Sequence, residues 1–201
     1  LEPQTGTSME VGLYQRIQPI SSDIAAEISL ALYEINMKDE VDFDLQQLAY
    51  VNIGESRHRG VESSLSLYYR EVLNARFGFT HQATTLEFGD NAGNFVKAIP
   101  RDVIAGALSF RLHPFSAGVT VQSSQRIFLD DANTIRLPGY TTTAIHVAYD
   151  FGSFGLAIDV FNLFDRRFSS TGFPDPAGSD QIFLYPYADR QARLVIDVRL
   201  P

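Results

Sequence analysis

Gln191-Ala192-Arg193-Leu194-Val195-Ile196-Asp197-Val198-Arg199-Leu200 is the stretch from which the fold is read most directly. Ala192, Leu194, Ile196, Val198 and Leu200 alternate with Gln191, Arg193, Val195, Asp197 and Arg199, and only Val195 breaks the pattern. Successive side chains of a strand point to opposite sides, so a period of two marks a β-strand with one apolar and one polar face. The same alternation recurs upstream. Ile24, Ala26, Ile28, Leu30 and Leu32 stand opposite Glu27 and Ser29, and Val61, Leu65, Leu67 and Tyr69 opposite Glu62, Ser64, Ser66 and Arg70. Leu73, Ala75, Phe77 and Phe79 face away from Asn74, Arg76 and Thr80. Ile104, Leu108, Phe110 and Leu112 oppose Ser109 and Arg111, and Ile145, Val147 and Tyr149 oppose His146 and Asp150. With a weaker segment at 119–124 and segments at 8–17 and 154–164, the pattern predicts about nine strands. Proline or glycine punctuates most stretches long enough for an amphipathic helix.

Composition narrows the class. The chain has 201 residues, 45% hydrophobic and 20% charged, with a formal net charge of −8 and no cysteine. A disulfide scaffold, a thiolate metal site and a cysteine nucleophile are excluded. The acidic balance argues against nucleic acid as a partner. The apolar runs are too short for a helical membrane span or a signal-peptide core. The chain starts at Leu1 without a methionine, as a mature chain or a piece of a longer one does.

The connections carry as much information as the strands. Short ones are expected near 18–23, 70–71, 113–117 and 152–153, and long ones near 39–47, 88–101, 129–138 and 169–181. Short and long alternating along a meander puts tight turns at one end of the sheet and extended loops at the other, the asymmetry of an outer-membrane β-barrel. Each stripe offers four or five apolar residues over roughly ten positions, enough for a lipid-facing band of ~25 Å. Tyr69, Phe77, Phe79, Phe110, Tyr149 and Phe151 supply aromatics for an interfacial girdle that has no tryptophan. Glu27, Glu62, Arg70, Arg76, Arg111, Asp150, Asp159, Arg193, Asp197 and Arg199 are expected to line the polar interior. Such charges are tolerated in a wet lumen, but in a dry core each would cost several kcal/mol unless paired.

Four strings resemble a known family. The segment Leu1-Glu2-Pro3-Gln4-Thr5-Gly6-Thr7-Ser8-Met9-Glu10-Val11-Gly12-Leu13 is similar to the "L-x-P-E-x-S/G-x-x-x-E-x-G" opening of TonB-dependent outer-membrane receptor barrels. Tyr50-Val51-Asn52-Ile53-Gly54-Glu55-Ser56-Arg57-His58-Arg59-Gly60-Val61-Glu62 resembles that family's "N-x-G-x-x-R-x-R-G-V-E" strand. Leu137-Pro138-Gly139-Tyr140-Thr141 resembles its "v-P-G-Y-t" strand start, and Asn162-Leu163-Phe164-Asp165-Arg166-Arg167-Phe168 its "N-L-F-D-x-x-Y/F" motif. The strings keep the family's order across nearly the whole chain. The resemblance implies the last nine or so strands of a 22-stranded barrel, a size whose lumen is plugged. It departs from the family in ending Arg199-Leu200-Pro201 rather than on an aromatic, and in having no counterpart of the plug or of the energy-coupling box.

The expected fold is therefore all-β: an antiparallel up-and-down transmembrane β-barrel portion of about nine strands, plug domain absent. Residues 1–201 are expected to form one unit, the C-terminal part of a larger outer-membrane barrel. The resemblance implies a Gram-negative outer-membrane receptor for a scarce nutrient, most often a ferric siderophore and sometimes cobalamin or haem. Its partners would be outer-membrane lipid, a plug domain, the TonB complex and an iron chelate or cobalamin ligand. No cofactor is expected, and no catalytic constellation or nucleotide motif is legible. Two alternatives stand beside this reading. One is a small stand-alone outer-membrane pore or structural barrel of about eight to ten strands, which would close its first strand on its last. The other is a soluble β-barrel or sandwich binding an apolar ligand inside, which would bury Leu194, Ile196 and Val198 and expose Arg193 and Asp197.

Candidate site residues each have a structural reading. Arg57, His58, Arg59, Gly60 and Glu62 form a cluster that could attract an anionic chelate. The alternative pairs its cations with Glu55 and Glu62 and puts Gly60 in a bulge. Pro138, Gly139 and Tyr140 open a strand. In the string Asn162, Leu163, Phe164, Asp165, the Asn and Asp side chains suit backbone groups at a turn better than they suit catalysis. The run 39–44 has carboxylates for calcium but lacks the glycine and spacing of a binding loop, so a solvated loop is expected. His58, His81, His113 and His146 lack metal-ligand spacing.

Overall fold

The computed structural model describes residues 1–21, 23–44 and 47–199. All regular structure among them is β. The strands are β1 (Thr5–Ser21), β2 (Ile24–Lys38), β3 (Val41–Asp44), β4 (Ala49–Asn52), β5 (Ser56–Tyr69), β6 (Leu73–Leu86), β7 (Asp102–Leu112) and β8 (Phe115–Ser124). They continue with β9 (Ile127–Phe128), β10 (Arg136–Leu137), β11 (Tyr140–Asp150), β12 (Phe154–Phe161), β13 (Ser169–Pro174), β14 (Ile182–Pro186) and β15 (Gln191–Val198). Nine of them form one antiparallel sheet in the order β1-β2-β5-β6-β7-β8-β11-β12-β15. The others pair locally as hairpins β3–β4, β9–β10 and β13–β14, each inside a long connection.

The short-long alternation is present, with corrected limits. Tight turns join β5 to β6, β7 to β8 and β11 to β12, and β8 begins at Phe115, earlier than its weak pattern shows. Between β1 and β2 the expected turn includes Ser22, which lies outside the described residues. The long connections, 39–55, 87–101, 125–139 and 162–190, exceed expectation, because three of them carry hairpins too short to register as periodic segments. Leu45 and Gln46 of the first lie outside the described residues, as do the chain-end residues Leu200 and Pro201. β1 extends beyond 8–17 at both ends, and β12 stops at Phe161, so Asn162 to Phe164 leave the strand.

Cross-strand register fixes the two faces. On one, Leu30 is followed across the sheet by Ser63, Phe79 and Ile104, and Ala117 by Val147, Ile158 and Leu194. On the other, Tyr68 is followed by Asn74, Ser109, Gly118, His146, Asp159 and Arg193. The polar face is concave, forming a hollow of about 770 Å³ that reaches from Tyr68 and Arg76 to His146 and Asp159. Its charges pair across strands: Asp159 accepts from Arg193 at 2.8 Å and bonds His146 at 2.7 Å, and Arg199 bonds Asp150 at 2.8 Å. Central apolar residues stay open on the other face, Phe77 at 48%, Val147 at 42% and Ile158 at 47%. From Ile24 to Leu32 the apolar stripe of β2 runs about 26 Å along the strand. At the short-turn end the Phe151 ring stacks on Phe154 at 4.5 Å and meets Tyr149 at a tilt, 4.6 Å away.

The sheet is open, and its exposed area is large for the length of the chain. A folded monomer of 22.4 kDa should expose about 9,400 Å², yet 13355 Å² is exposed here. Among the described residues the cluster of buried apolar side chains, Ile127, Leu129 and Leu137 with Ile135 against it, lies in the 125–139 connection rather than between sheet faces. Leu194, Ile196 and Val198 are not buried, but edge strand β15 is exposed on both faces, so the inward-apolar alternative fails on the central strands, where Val147 and Ile158 stay open while Asp159 is buried. The closed small barrel is not formed either, since β1 and β15 stand at opposite ends of the strand order.

Candidate functional site

The chemistry-bearing side chains gather at the long-connection end. The basic cluster is split by its strand. Residues 57 and 59 of β5 share the face of Val61, while His58, Gly60 and Glu62 share the polar face. Arg57 donates to Asn36 Oδ1 at 3.0 Å and lies 3.7 Å from Glu87, and Arg59 is exposed. His58 reaches Glu40 at 3.3 Å, and Ser56, 1% exposed, donates to the same carboxylate. The partners are thus Glu87, Asn36 and Glu40, not Glu55 and Glu62. β5 keeps its register through Gly60 without a bulge, since the glycine there makes room for the Tyr33 ring. Tyr50 to Glu62 is not one strand: it crosses from β4 to β5 through Gly54, whose φ is +85°.

Glu40 anchors the first long connection to the sheet. The His58 bond holds its carboxyl below the usual glutamate value, against burial and with help from Ser56. The run 39–44 is part strand. Its Asp42 meets Lys97, and no group of three or more metal-ligating side chains converges among the described residues.

Leu137 ends β10 and Tyr140 opens β11, with Pro138 and Gly139 between them. A Cβ on Gly139 would lie 2.5 Å from the Ser124 carbonyl oxygen, so only glycine lets the chain pass the end of β8 this closely. Asn162 is 2% exposed, with φ +49°. Its amide donates to the carbonyls of Arg166 at 3.0 Å and Ala188 at 3.1 Å, and its oxygen accepts from the Arg166 N–H at 3.0 Å. Asp165 accepts from the Arg190 N–H at 2.8 Å, and the Leu163 N–H donates to Thr143. Phe164 is exposed at 68%. The motif thus ties both ends of the 162–190 connection together.

Sequence reading missed two arrangements here. Tyr140 stacks on Phe168 at 4.2 Å and Phe168 on Tyr187 at 4.7 Å. Beside them a polar hollow of about 750 Å³ is lined by Arg126, Arg166, Arg167, Tyr140 and Phe168. Guanidinium groups next to aromatic faces can hold an anionic or planar ligand. The other is the contact of Lys97 with Asp42 and Asp131. In both cases the partners are far apart in sequence.

Residues 1–163 match the family model described as TonB dependent receptor-like, beta-barrel. Among curated proteins the chain is 24% identical over 178 residues to a ferrioxamine receptor of Yersinia enterocolitica, covering 84% of this chain and 24% of that protein. It is 26% identical over 180 residues to a ferrioxamine B receptor of Salmonella typhimurium strain LT2, covering 84% and 25%. The chain spans about a quarter of the length of these relatives. Among solved structures, the ferric yersiniabactin uptake receptor of Yersinia pestis superposes with a TM-score of 0.77 at 16% identity, over 96% of this chain and 30% of that one. The unliganded ferric citrate transporter superposes at 0.72 with 21% identity, over 98% and 31%.

Proposed function

This chain belongs to the TonB-dependent receptor family through its β-barrel, and from that membership we propose that it is the C-terminal wall of an outer-membrane ferric siderophore receptor. The family is one of transport receptors. Residues 1–201 make one unit of a larger barrel, contributing wall, turns and mouth to a protein that works with a plug and the TonB complex. The supporting observation is the consistent sidedness of nine paired strands: apolar outside, ionic on the concave side, long connections all at one end. Lipid covers the apolar face, and the ladder of Asp159, Arg193 and His146 faces a wet lumen. The long connections take the chelate at the mouth, where the hollow beside Tyr140 and Arg166 offers cations and rings. The relatives' names make ferric ferrioxamine the first substrate to test.

The complete receptor containing this chain, expressed in a siderophore-receptor-deficient strain, should restore uptake of radiolabelled ferric ferrioxamine, and deletion of TonB should abolish it. Residues 1–201 alone should restore none. Uptake by the complete receptor without TonB, or by this segment alone, would overturn the proposal.

A further inference from the structure

The long connections at the mouth are joined to one another, and Lys97 is where three of them meet. It belongs to the 87–101 connection. Its ammonium contacts Asp42 in β3 of the 39–55 connection, and Asp131 of the 125–139 connection at 2.9 and 3.2 Å. The lysine side chain is only 19% exposed, and it is one of two lysines in the chain. Burial alone would depress its pKa, but the bonds to both aspartates outweigh that and hold it above the ordinary lysine value, so it stays charged. An ammonium has three donors on one compact centre, which lets it serve carboxylates from two directions.

The surrounding bonds explain why the cation sits there. Asn133 and Phe95 exchange two hydrogen bonds of 2.8 Å, and the Ala98 N–H donates to the Phe128 carbonyl at 2.8 Å. The Phe95 and Phe128 rings stack at 6.1 Å. These contacts fix the second and third connections to each other. The first is tied to the second at its base, where the Glu87 N–H donates to the Glu55 carbonyl. Higher up, its hairpin β3–β4 is held through Asp42 and Lys97.

We propose that Lys97 is a positioning residue, which makes the three connections one preassembled wall of the ligand mouth. The proposal rests on the receptor reading given above. A wall ordered in advance spares the chelate the cost of ordering loops as it binds. Removing the cation leaves two aspartates facing each other with no counter-charge, so both neighbouring connections should loosen together.

The test is hydrogen exchange on the complete receptor in outer-membrane vesicles. Lys97→Met should raise exchange about tenfold or more in 39–55 and by a smaller factor in 125–139, where the Asn133–Phe95 and Ala98–Phe128 bonds remain, with β2 and β5 unchanged. Lys97→Arg should restore most of the protection. Asp42→Asn should loosen 39–55 alone. With ferric ferrioxamine B as probe, Lys97→Met should speed dissociation severalfold, and Lys97→Arg should reverse this. Loosening confined to 87–101, or faster exchange with an unchanged dissociation rate, overturns the positioning role. A wild-type receptor that retains no ferric ferrioxamine B counts against the receptor reading instead, and the exchange rates still decide whether the clamp exists.

Discussion

Gly60 and Tyr33 stand opposite each other in the β2–β5 ladder, and the tyrosine ring fills the place a side chain at residue 60 would need. A Cβ there would lie 2.7 Å from the ring's Cζ and Oη, and 2.7 Å from the His81 carbonyl oxygen. The tyrosine hydroxyl donates onward to Gln82 Oε1 at 3.2 Å, so the ring cannot swing away without losing a partner. Gly60→Ala should therefore destabilise the barrel by about 1–3 kcal/mol through overpacking. The midpoint of urea unfolding of the complete receptor in micelles measures this. Tyr33→Ala in the same chain should recover only part, because the His81 carbonyl remains. An unshifted midpoint for Gly60→Ala would contradict the assignment.

Asn162 closes a loop whose ends are 26 residues apart, and its side chain satisfies three backbone groups while buried. Asn162→Ala should leave those groups unpaired, at about 1–3 kcal/mol each where water cannot replace the bond. Alanine also tolerates the positive φ less well than asparagine. Limited proteolysis should show cleavage within 162–190 appearing at lower protease than in wild type. Asn162→Asp should do no better, because it sets a carboxylate against the Arg166 and Ala188 carbonyls.

These two positions show what was legible. The sheet could be read because period two survives over eight or more residues in strand after strand, as from Ile24 to Leu32. The turn at Asn162 was legible because one partner, Arg166, is four residues away; Ala188 was not. Hairpin β3–β4 escaped because Val41 to Asp44 is too short for alternation to stand out. Arg57, His58 and Arg59 are contiguous in the sequence and suggest one patch, yet period two sends the arginines and the histidine to opposite faces. Lys97 gave no local signal, since its partners lie 55 residues upstream and 34 downstream.

The sidedness of β2 can be tested at neighbouring positions. Ile28 lies mid-stripe on the apolar face, and Ser29 faces inward, its hydroxyl 2.7 Å from that of Ser64. Ile28→Lys should cost about 2–4 kcal/mol, the penalty for a cation at the lipid midplane, and Ser29→Lys much less. Folded receptor in outer-membrane fractions, scored by heat-modifiable gel mobility, should fall for the first and hold for the second. Equal loss from both would place the membrane wrongly.

The anchoring of the 39–55 connection through Glu40 has a defined pH range. The His58 bond, with Ser56, depresses the folded carboxyl below its ordinary 4.5 despite the opposing effect of burial. A depressed carboxyl contributes stability that is fully present above its unfolded pKa and lost as pH falls through the folded value. The connection should therefore stay equally protected from neutrality down to about pH 5. It should loosen only below the ordinary glutamate value. Protease accessibility of 39–55 as a function of pH reads this directly, with an opening midpoint below 4.5. Glu40→Gln keeps an oxygen for the Ser56 hydroxyl but cannot ionise, so its accessibility should be raised at neutral pH and show no such midpoint. Opening of the wild-type connection between pH 6 and 7 would mean that a group other than Glu40 controls it.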